Sequence, residues 1–455
     1  MRRLVIAGLT SGVGKTTITC ALLAAFVRRG RRVQPFKVGP DYIDPSHHSA
    51  VARRPSRNLD SVLLPPGRLR ASFVRSSADA DLSVVEGVMG LFDGRSADGA
   101  GSTAEVAKLI DAPVVVVLDV AQTAQTAAAM ALGCLTLDPE LSVAGFILNR
   151  VASQSHARTV TEAVERATGR PVLGAFPREP SLALPERYLG LIPTAEAELG
   201  AEFVRQLADA GEAHLALDRL WKIAAAPPLD APDDLPTVPT GTLATIAVAR
   251  DRAFSFYYED SLEVLSSEGA ELAAFSPLTD TALPSGTQGV YVGGGFPELF
   301  AAELSGNTPM HRALRAASQA GLPMYGECGG LMYLGRTLTD RDGNAWPMVG
   351  LVPYDSHLES ERVTVGYRTV TAIRDSPLLP AGAASVGHEF HYSQLTEPVR
   401  GETAAYRVAE RDNSPEGFAR GNLLASYVHL HFGTDPRVAA RLVAACAARD
   451  PLRSA

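Results

Sequence analysis

A cysteine between glycines is the residue of this sequence best suited to nucleophilic chemistry. Cys328 lies between an apolar run at 321–325 and a helix-like run that begins at Leu331. Glycines permit the positive φ that a tight strand-to-helix turn requires, and the first turn of a helix stabilises a thiolate. The pattern predicts a reactive thiol, with the backbone N–H of Gly329 as a donor to an oxyanion. The alternative is a buried structural cysteine, the usual fate of an unpaired thiol.

Histidines late in the sequence offer a base for this thiol. The segment 425–430 is strand-like, and its alternation would place His429 on the same face as His431. An imidazole beside a thiol can accept its proton, and His429 is the predicted base. Three other histidines compete for this role: His388, His391 and His431.

Three glycines follow the apolar segment 290–292. Backbone N–H groups in such a turn between strand and helix can bind an anion. Gly294 and Gly295 are therefore predicted to complete an oxyanion hole. A plain turn without a ligand is the alternative.

The beginning of the sequence carries a phosphate-binding loop. Residues 8–17 follow an apolar strand and open a helix, so their N–H groups can cradle phosphates. Lys15 would reach the β and γ oxygens, and the Thr16 hydroxyl would bind Mg²⁺. The spacing departs from the usual pattern because Leu9 holds the position of the first glycine. The predicted nucleotide-binding residues of the loop are Ser11, Gly12, Val13, Gly14, Lys15, Thr16 and Thr17.

Polar residues after three further strands could complete this site. Lys37 can neutralise phosphate, and the nearby carboxylates of Asp41 and Asp44 can hold Mg²⁺. Glu86 ends a buried strand, at the edge where ligands bind in a doubly wound sheet. Asn149 ends another strand and is predicted to contact the nucleobase, although asparagine also caps turns. The predicted Mg²⁺ ligands are Thr16, Asp41 and Glu86.

Two α/β patterns must position these residues. Near-continuous apolar runs predict parallel strands that are buried on both faces, with helix-like stretches between them. Those runs in the first half are 4–7, 82–85, 114–118 and 143–148. Five prolines in 224–242 predict a linker, so the predicted domains are 1–223 and 243–455.

The composition of the 455 residues is that of an ordinary globular protein, 46% hydrophobic and 20% charged. A net charge of −8 gives no basic field for nucleic acid or an anionic membrane. Four dispersed cysteines without a Cys-x-x-Cys pair fit a reducing compartment. The first residues lack the cleavage site of a signal peptide and no apolar stretch reaches transmembrane length, so a cytoplasmic location is predicted.

A reactive thiol in one domain and an ATP-binding loop in the other predict two separate reactions. The cysteine would release ammonia from a carboxamide, and ATP would activate a carboxylate as an acyl phosphate for ammonia to displace. A partitioning or switch ATPase is the competing class. Such proteins typically carry a lysine five residues before the loop lysine, and Thr10 stands there.

Ten segments carry a resemblance to a known family. They are 11–17, 36–45, 57–60, 86–94, 101–107, 184–187, 275–278, 326–330, 388–393 and 426–432. Nearly from end to end, the sequence resembles cobyrinic acid a,c-diamide synthase of cobalamin biosynthesis.

The resemblance implies a P-loop NTPase domain similar to dethiobiotin synthetase, joined to a class I glutamine amidotransferase domain. It implies ATP- and glutamine-dependent amidation of the c and a carboxylates of a corrinoid. Cys328 matches the nucleophile and His429 its activating histidine, while Asp41, Tyr42 and Asp44 match a loop near the reacting carboxylate. The usual glutaminase acid two residues after the histidine is absent, because His431 stands there. The residue that orients His429 is therefore not identified.

Several alternatives remain open. A paralogue that amidates Ni-sirohydrochlorin would share this mechanism. A nucleotide-switched regulatory module with a decayed amidase domain belongs to a different class, and the intact Cys328 and His429 count against it. The sequence does not distinguish a cobalt-containing corrinoid from a metal-free one, and a homodimer is one open arrangement.

Overall fold

The computed structural model describes residues 1–184, 186–187, 190–231, 241–359 and 363–452. The chain forms two compact units, Met1–Leu235 and Pro236–Ala455. The backbone N–H of Arg3 donates to the carbonyl of Ala224 at 2.8 Å, and its guanidinium donates to that of Pro227 at 2.7 Å. The first unit therefore continues past the predicted boundary at 223. Residues 232–240 of the predicted linker, and Pro185 within segment 184–187, lie outside the described residues.

The first unit contains a seven-stranded parallel sheet and a two-stranded antiparallel sheet. Its strands are β1 (Arg3–Gly8), β2 (Val33–Val38), β3 (Arg57–Leu59), β4 (Leu82–Glu86), β5 (Val114–Asp119), β6 (Val143–Val151), β7 (Val172–Pro177), β8 (Glu186–Arg187) and β9 (Gly190–Leu191). Its helices are α1 (Lys15–Arg28), α2 (Ile43–Ala52), α3 (Pro66–Ser77), α4 (Thr103–Leu109), α5 (Thr126–Thr136), α6 (Gln154–Thr168), α7 (Ala201–His214) and α8 (Leu217–Ile223). The strand order in the large sheet is β3-β2-β4-β1-β5-β6-β7.

Both faces of this sheet are buried, as the continuous apolar runs predicted. Successive residues of β1 point to opposite faces, so Leu4 packs with α1, α7 and α8, and Val5 packs with α3 to α6. Each such side chain is fully buried and contributes about 1.5–3 kcal/mol of transfer free energy. Because β1 lies between β4 and β5, the loop after β1 and Glu86 at the end of β4 meet at the same edge.

The second unit is built around a six-stranded sheet with the order β11-β10-β12-β13-β23-β22. The strands of the unit are β10 (Ala244–Ala249), β11 (Ala270–Phe275), β12 (Thr287–Val292), β13 (Met324–Glu327), β14 (Thr337–Thr339), β15 (Ala345–Pro347), β16 (Ser356–Leu358), β17 (Thr364–Ala372), β18 (Ala384–His391), β19 (Ser393–Leu395), β20 (Tyr406–Val408), β21 (Ser414–Glu416), β22 (Phe418–Arg420), β23 (Leu423–Ser426) and β24 (His429–Leu430). Its helices are α9 (Glu259–Ser267), α10 (Ala301–Gly306), α11 (Thr308–Gln319), α12 (Gly329–Leu334) and α13 (Arg437–Ala447). Helices α9 and α13 cover one face of the sheet, and α10 to α12 cover the other.

The prediction of one strand over 425–430 is wrong. Strand β23 belongs to the six-stranded sheet, whereas β24 joins a five-stranded sheet of order β21-β20-β17-β18-β24. The break lies at Tyr427 and Val428, whose N–H groups donate to Glu416 and to the Ser426 hydroxyl instead of to a neighbouring strand. Since β24 ends at Leu430, His431 lies beyond the strand that carries His429.

The four cysteines are buried and form no disulfide. In the described part of the chain, no helix combines the length and the apolar character needed to cross a bilayer.

Candidate functional site

The phosphate-binding loop has the conformation that its glycines predict. It runs from the end of β1 to Lys15, the first residue of α1, and Gly14 adopts a φ of 91°. A Cβ at Gly14 would lie 2.2 Å from Nδ2 of Asn149, so a larger residue there would collide with the end of β6. The predicted sequence of strand, loop and helix is thus confirmed.

Lys15 points back into this loop. Its ammonium donates to the carbonyls of Thr10 at 2.9 Å and Met89 at 2.7 Å. Burial and the nearby Lys37 lower the pKa of Lys15 to about 8. The contact of Lys15 with the β and γ oxygens of a nucleotide stays a prediction.

Glu86 is the centre of a buried polar cluster. Its Oε1 accepts from the Thr16 hydroxyl and from Nζ of Lys37, each at 2.8 Å. Its Oε2 lies 2.6 Å from Nε2 of His48. Sequence reasoning missed His48, because it is 38 residues from Glu86 and no local pattern joins them. The predicted site residues Thr16, Lys37 and Glu86 therefore lie together in the structure. His48, which was not predicted, contacts the same carboxylate.

Lys37 joins this cluster to the carboxylates of the segment that follows β2. Lys37 also donates to Asp44 at 2.5 Å, and its Nζ lies 4.0 Å from Oδ2 of Asp41. Burial alone would lower the pKa of Lys37, but Asp44, Glu86 and Asp41 outweigh it and raise this pKa. Burial and the Asp41 carboxylate in turn raise the pKa of Asp44. Asp41, Asp44 and Glu86 therefore surround the ammonium of Lys37, and Glu86 also contacts His48.

The loop that carries Asp41 is held in place from a neighbouring strand. Oδ1 of Asp41 accepts from the N–H groups of Ile43 and Asp44, the first two residues of α2. Tyr42 is buried immediately before that helix. The Asn58 side chain donates to the carbonyls of Gly39 at 2.8 Å and Asp41 at 2.7 Å. Asn58 is in segment 57–60 of the family resemblance, and the structure gives it this supporting contact.

Asn149 also contacts the phosphate-binding loop. Its Nδ2 donates to the carbonyl of Val13 at 2.8 Å, and its Oδ1 accepts from the backbone N–H of Arg150 at 2.9 Å. Both ends of the amide thus have protein partners, and the contact with a nucleobase stays a prediction.

Cys328 occupies the sharp turn that the sequence predicted. It follows β13 directly and precedes α12, with a φ of 49° and 3% exposure. Its N–H donates to the carbonyl of Ser426 in β23 at 2.7 Å, and its Sγ lies 3.7 Å from the carbonyl oxygen of Phe390. The thiol is therefore held between two sheets of the unit.

His429 lies beside this thiol. It is fully buried, and Nδ1 lies 3.6 Å from Oε2 of Glu327, the residue before the cysteine. Burial alone would lower the pKa of His429, but interactions with Cys328 and Glu327 outweigh it and raise this pKa to about 10. A charged imidazole next to a cysteine stabilises the thiolate, which is the nucleophilic form.

The competing histidines have other surroundings. His388 stands opposite His429 in the β18–β24 pair, and burial lowers its pKa to about 3. His391 stacks on Tyr427 with ring centroids 3.9 Å apart, and burial likewise lowers its pKa to about 3. His431 accepts from the N–H of Gly433 at 3.0 Å. His429 is therefore the histidine best placed to act on Cys328.

The predicted oxyanion glycines differ in their backbone contacts. The N–H of Gly294 donates to the carbonyl of Phe256 at 3.3 Å. Within the described residues, the N–H groups of Gly295 and Gly329 have no protein acceptor, and a Cβ at Gly329 would lie 3.1 Å from the nitrogen of Gly295. Gly295 and Gly329 thus fit the predicted role better than Gly294 does.

Two family models match this chain, one in each half of the sequence. Residues 4–191 match the family described as the CobQ/CobB/MinD/ParA nucleotide binding domain. Residues 245–437 match the CobB/CobQ-like glutamine amidotransferase domain. The protein is thus a glutamine amidotransferase with a nucleotide-binding domain in the same chain.

Curated relatives match nearly the whole chain. Cobyrinate a,c-diamide synthase from Dehalococcoides mccartyi is 43% identical over 450 residues, which are 97% of each chain. The enzyme of that name from Synechococcus is 43% identical over 97% of this chain and 98% of its own. The one from Priestia megaterium is 41% identical over 98% and 97%. The chain belongs to the family of cobyrinate a,c-diamide synthases.

Proposed function

We propose that this protein uses ATP and glutamine to convert the a and c carboxylates of cobyrinic acid into carboxamides, in cobalamin biosynthesis. The observation that carries the proposal is the buried pairing of Cys328 with His429 in a chain whose other unit holds a phosphate-binding loop. The named relatives support cobyrinic acid over Ni-sirohydrochlorin as the substrate.

In the proposed glutaminase reaction, the Cys328 thiolate attacks the side-chain carbonyl carbon of glutamine and forms a C–S bond. The imidazolium of His429 gives its proton to the departing nitrogen, so ammonia leaves and a thioester remains. Water then cleaves the C–S bond with His429 as the base, which releases glutamate and restores the thiol. The proposed donors to the oxyanion are the N–H groups of Gly295 and Gly329.

In the proposed synthetase reaction, the γ-phosphoryl group of ATP passes to a corrinoid carboxylate, which otherwise has no good leaving group. Ammonia then displaces phosphate and forms the amide. Lys15 is the proposed partner of the β and γ oxygens, and Lys37 adds positive charge beside it. The proposed position of the reacting carboxylate is beside the loop of Asp41, Tyr42 and Asp44.

The residues around Glu86 fit a magnesium ion. The Thr16 hydroxyl lies 2.8 Å from Glu86, and both supply the oxygen ligands that Mg²⁺ prefers, with Asp41 as the third proposed ligand. Among the described residues, no three His, Cys, Asp or Glu side chains form a metal cluster by themselves, so nucleotide phosphates would supply the remaining ligands. These residues would hold Mg²⁺ with ATP, and the ion would supply positive charge to the phosphates.

The test is mass spectrometry of cobyrinic acid incubated with the protein, Mg-ATP and glutamine, with Ni-sirohydrochlorin in a parallel reaction. We expect two carboxylates of cobyrinic acid to become amides, which lowers the mass by about 1 Da at each, since NH₂ replaces OH. Amidation of Ni-sirohydrochlorin alone would contradict the proposed substrate. Amidation of neither compound, with ATP turnover that ignores the corrinoid, would contradict the proposed reaction.

A further inference from the structure

Glu327 is a buried carboxylate directly before the nucleophile. It ends β13 on the same face as Tyr325, whose hydroxyl donates to Oε1 at 2.5 Å. The hydroxyl of Tyr291 in the neighbouring strand β12 donates to Oε2 at 2.7 Å. Glu327 itself is only 2% exposed. Two tyrosines thus fix this carboxylate beneath the reactive turn.

Glu327 also contacts the strand that carries the base. Oε1 accepts from the backbone N–H of Leu430 at 2.9 Å, and Oε2 lies 3.6 Å from Nδ1 of His429. One carboxylate therefore touches both the backbone and the imidazole of β24. The distance to Nδ1 is that of an ion pair, and such contacts often shorten to a hydrogen bond when substrate binds.

We propose that Glu327 is the positioning residue that orients His429 and stabilises its positive charge, from the position immediately before the nucleophile. A carboxylate at Nδ1 keeps the proton on that nitrogen, which leaves Nε2 to act on the thiol. This inference rests on the proposed glutaminase reaction and deepens it. The usual glutaminase acid two residues after the histidine is replaced here by His431, and Glu327 takes over its role.

Two other imidazoles near His429, those of His388 and His391, do not supply a negative charge. His388 faces His429 across the β18–β24 pair and His391 lies further along β18, and burial keeps both imidazoles neutral at pH 7 because it lowers each pKa to about 3. Cys328 is the acid–base partner of the imidazole. Glu327 thus provides the charge that complements an imidazolium.

The test compares Glu327→Gln with Glu327→Asp. The glutamine variant keeps the size of the side chain and removes its charge, whereas the aspartate variant keeps the charge on a shorter side chain. We expect Glu327→Gln to lower kcat for glutamine hydrolysis by about 10–100-fold with little change in KM, and Glu327→Asp to recover part of that loss. A glutamine variant as active as wild type, or more active than the aspartate variant, would overturn the proposal.

Two further readouts separate this inference from the proposed function. Amidation with free ammonia should stay within about twofold of wild type in Glu327→Gln, since only the glutaminase is affected. Alkylation of Cys328 by iodoacetamide needs no corrinoid. Its midpoint should move to higher pH in Glu327→Gln, because a less stable imidazolium supports less thiolate. An unchanged midpoint would overturn the role of Glu327 even if corrinoid amidation failed in every variant.

A milder pair of variants covers the case in which Glu327→Gln does not fold. Tyr325→Phe removes one hydrogen bond to the carboxylate. Tyr406→Phe is the matched control, because Tyr406 is equally buried in the same unit and its hydroxyl has no acceptor among the described residues. We expect Tyr325→Phe to lower glutamine hydrolysis by a few-fold and Tyr406→Phe to leave it unchanged. Equal rates in the two variants would contradict the proposal.

Discussion

Gly294 packs directly against the imidazole of His429. A Cβ at this position would lie 2.5 Å from Cε1 of His429 and 3.2 Å from Cβ of Phe256. Ordinary contacts of a Cβ begin at 3.4 Å, so Gly294→Ala must displace the ring by about 1 Å. Gly294 has no positive φ, so the alanine backbone itself is unstrained.

The displacement of the His429 ring is expected to lower both the stability of the unit and the rate of glutamine hydrolysis. Overpacking of a well-packed site destabilises a protein by about 1–3 kcal/mol, which a unit of this size can tolerate. A catalytic group that is misplaced by about 1 Å can lose about 10²-fold in rate. We expect Gly294→Ala to lower kcat for glutamine hydrolysis by about that factor while amidation from free ammonia continues.

The assay measures ammonia release from glutamine and, separately, corrinoid amidation with ammonium chloride. Gly306→Ala is the matched control, because a Cβ there has no atom within 4 Å and the glycine lies at the end of α10. That control should keep wild-type kinetics. Normal glutamine hydrolysis in Gly294→Ala would refute the tight packing against His429, and an equal loss with both nitrogen sources would refute a defect confined to the glutaminase.

Three further substitutions test the separate roles of the two units. Cys328→Ala should abolish glutamine-dependent amidation and spare the ammonia-dependent reaction in the same mass-spectrometric assay; loss of both would contradict two separate sites. Lys15→Ala should abolish amidation from either nitrogen source, and turnover that persists would contradict the ATP-loop assignment. Asn58→Ala should leave the buried carbonyl of Gly39 and the partly buried carbonyl of Asp41 without this donor. We expect it to lower the free energy of unfolding by about 1–3 kcal/mol, measured by denaturant titration. It should also raise KM for the corrinoid, and an unchanged KM would contradict a role for that loop in substrate binding.

Local sequence patterns predicted the parts of the fold that depend on neighbouring residues. The apolar run 114–118 was predicted to be a strand, and it forms most of β5. The prediction was possible because a strand that is buried on both faces needs apolar side chains at every position. The turn at Cys328 was predicted because glycines flank it, and α12 begins at Gly329, two residues earlier than expected. The prediction of a phosphate-binding loop before Lys15 succeeded for the same reason, since the whole signal lies within ten residues.

Features that join distant segments could not be predicted in this way. Glu327 and Leu430 are 103 residues apart, and no periodicity in either segment indicates that they meet. The sheet change after Ser426 was missed because apolar alternation reports burial and does not report which sheet a strand joins. His48 was missed because its only signal is its contact with a strand that comes later in the chain.

Cys328 follows a strand of one sheet, and His429 lies in a strand of another sheet. This placement has a consequence for the synthesis of the protein on the ribosome. A ribosome that has added residues only as far as 420 has produced Cys328 without the strand β23 beside it and without His429. In that nascent chain β13 has no β23 to pair with, and Cys328 lacks its proposed base. The proposed hydrolysis of glutamine requires these last strands, so we expect an incomplete chain to release no ammonia.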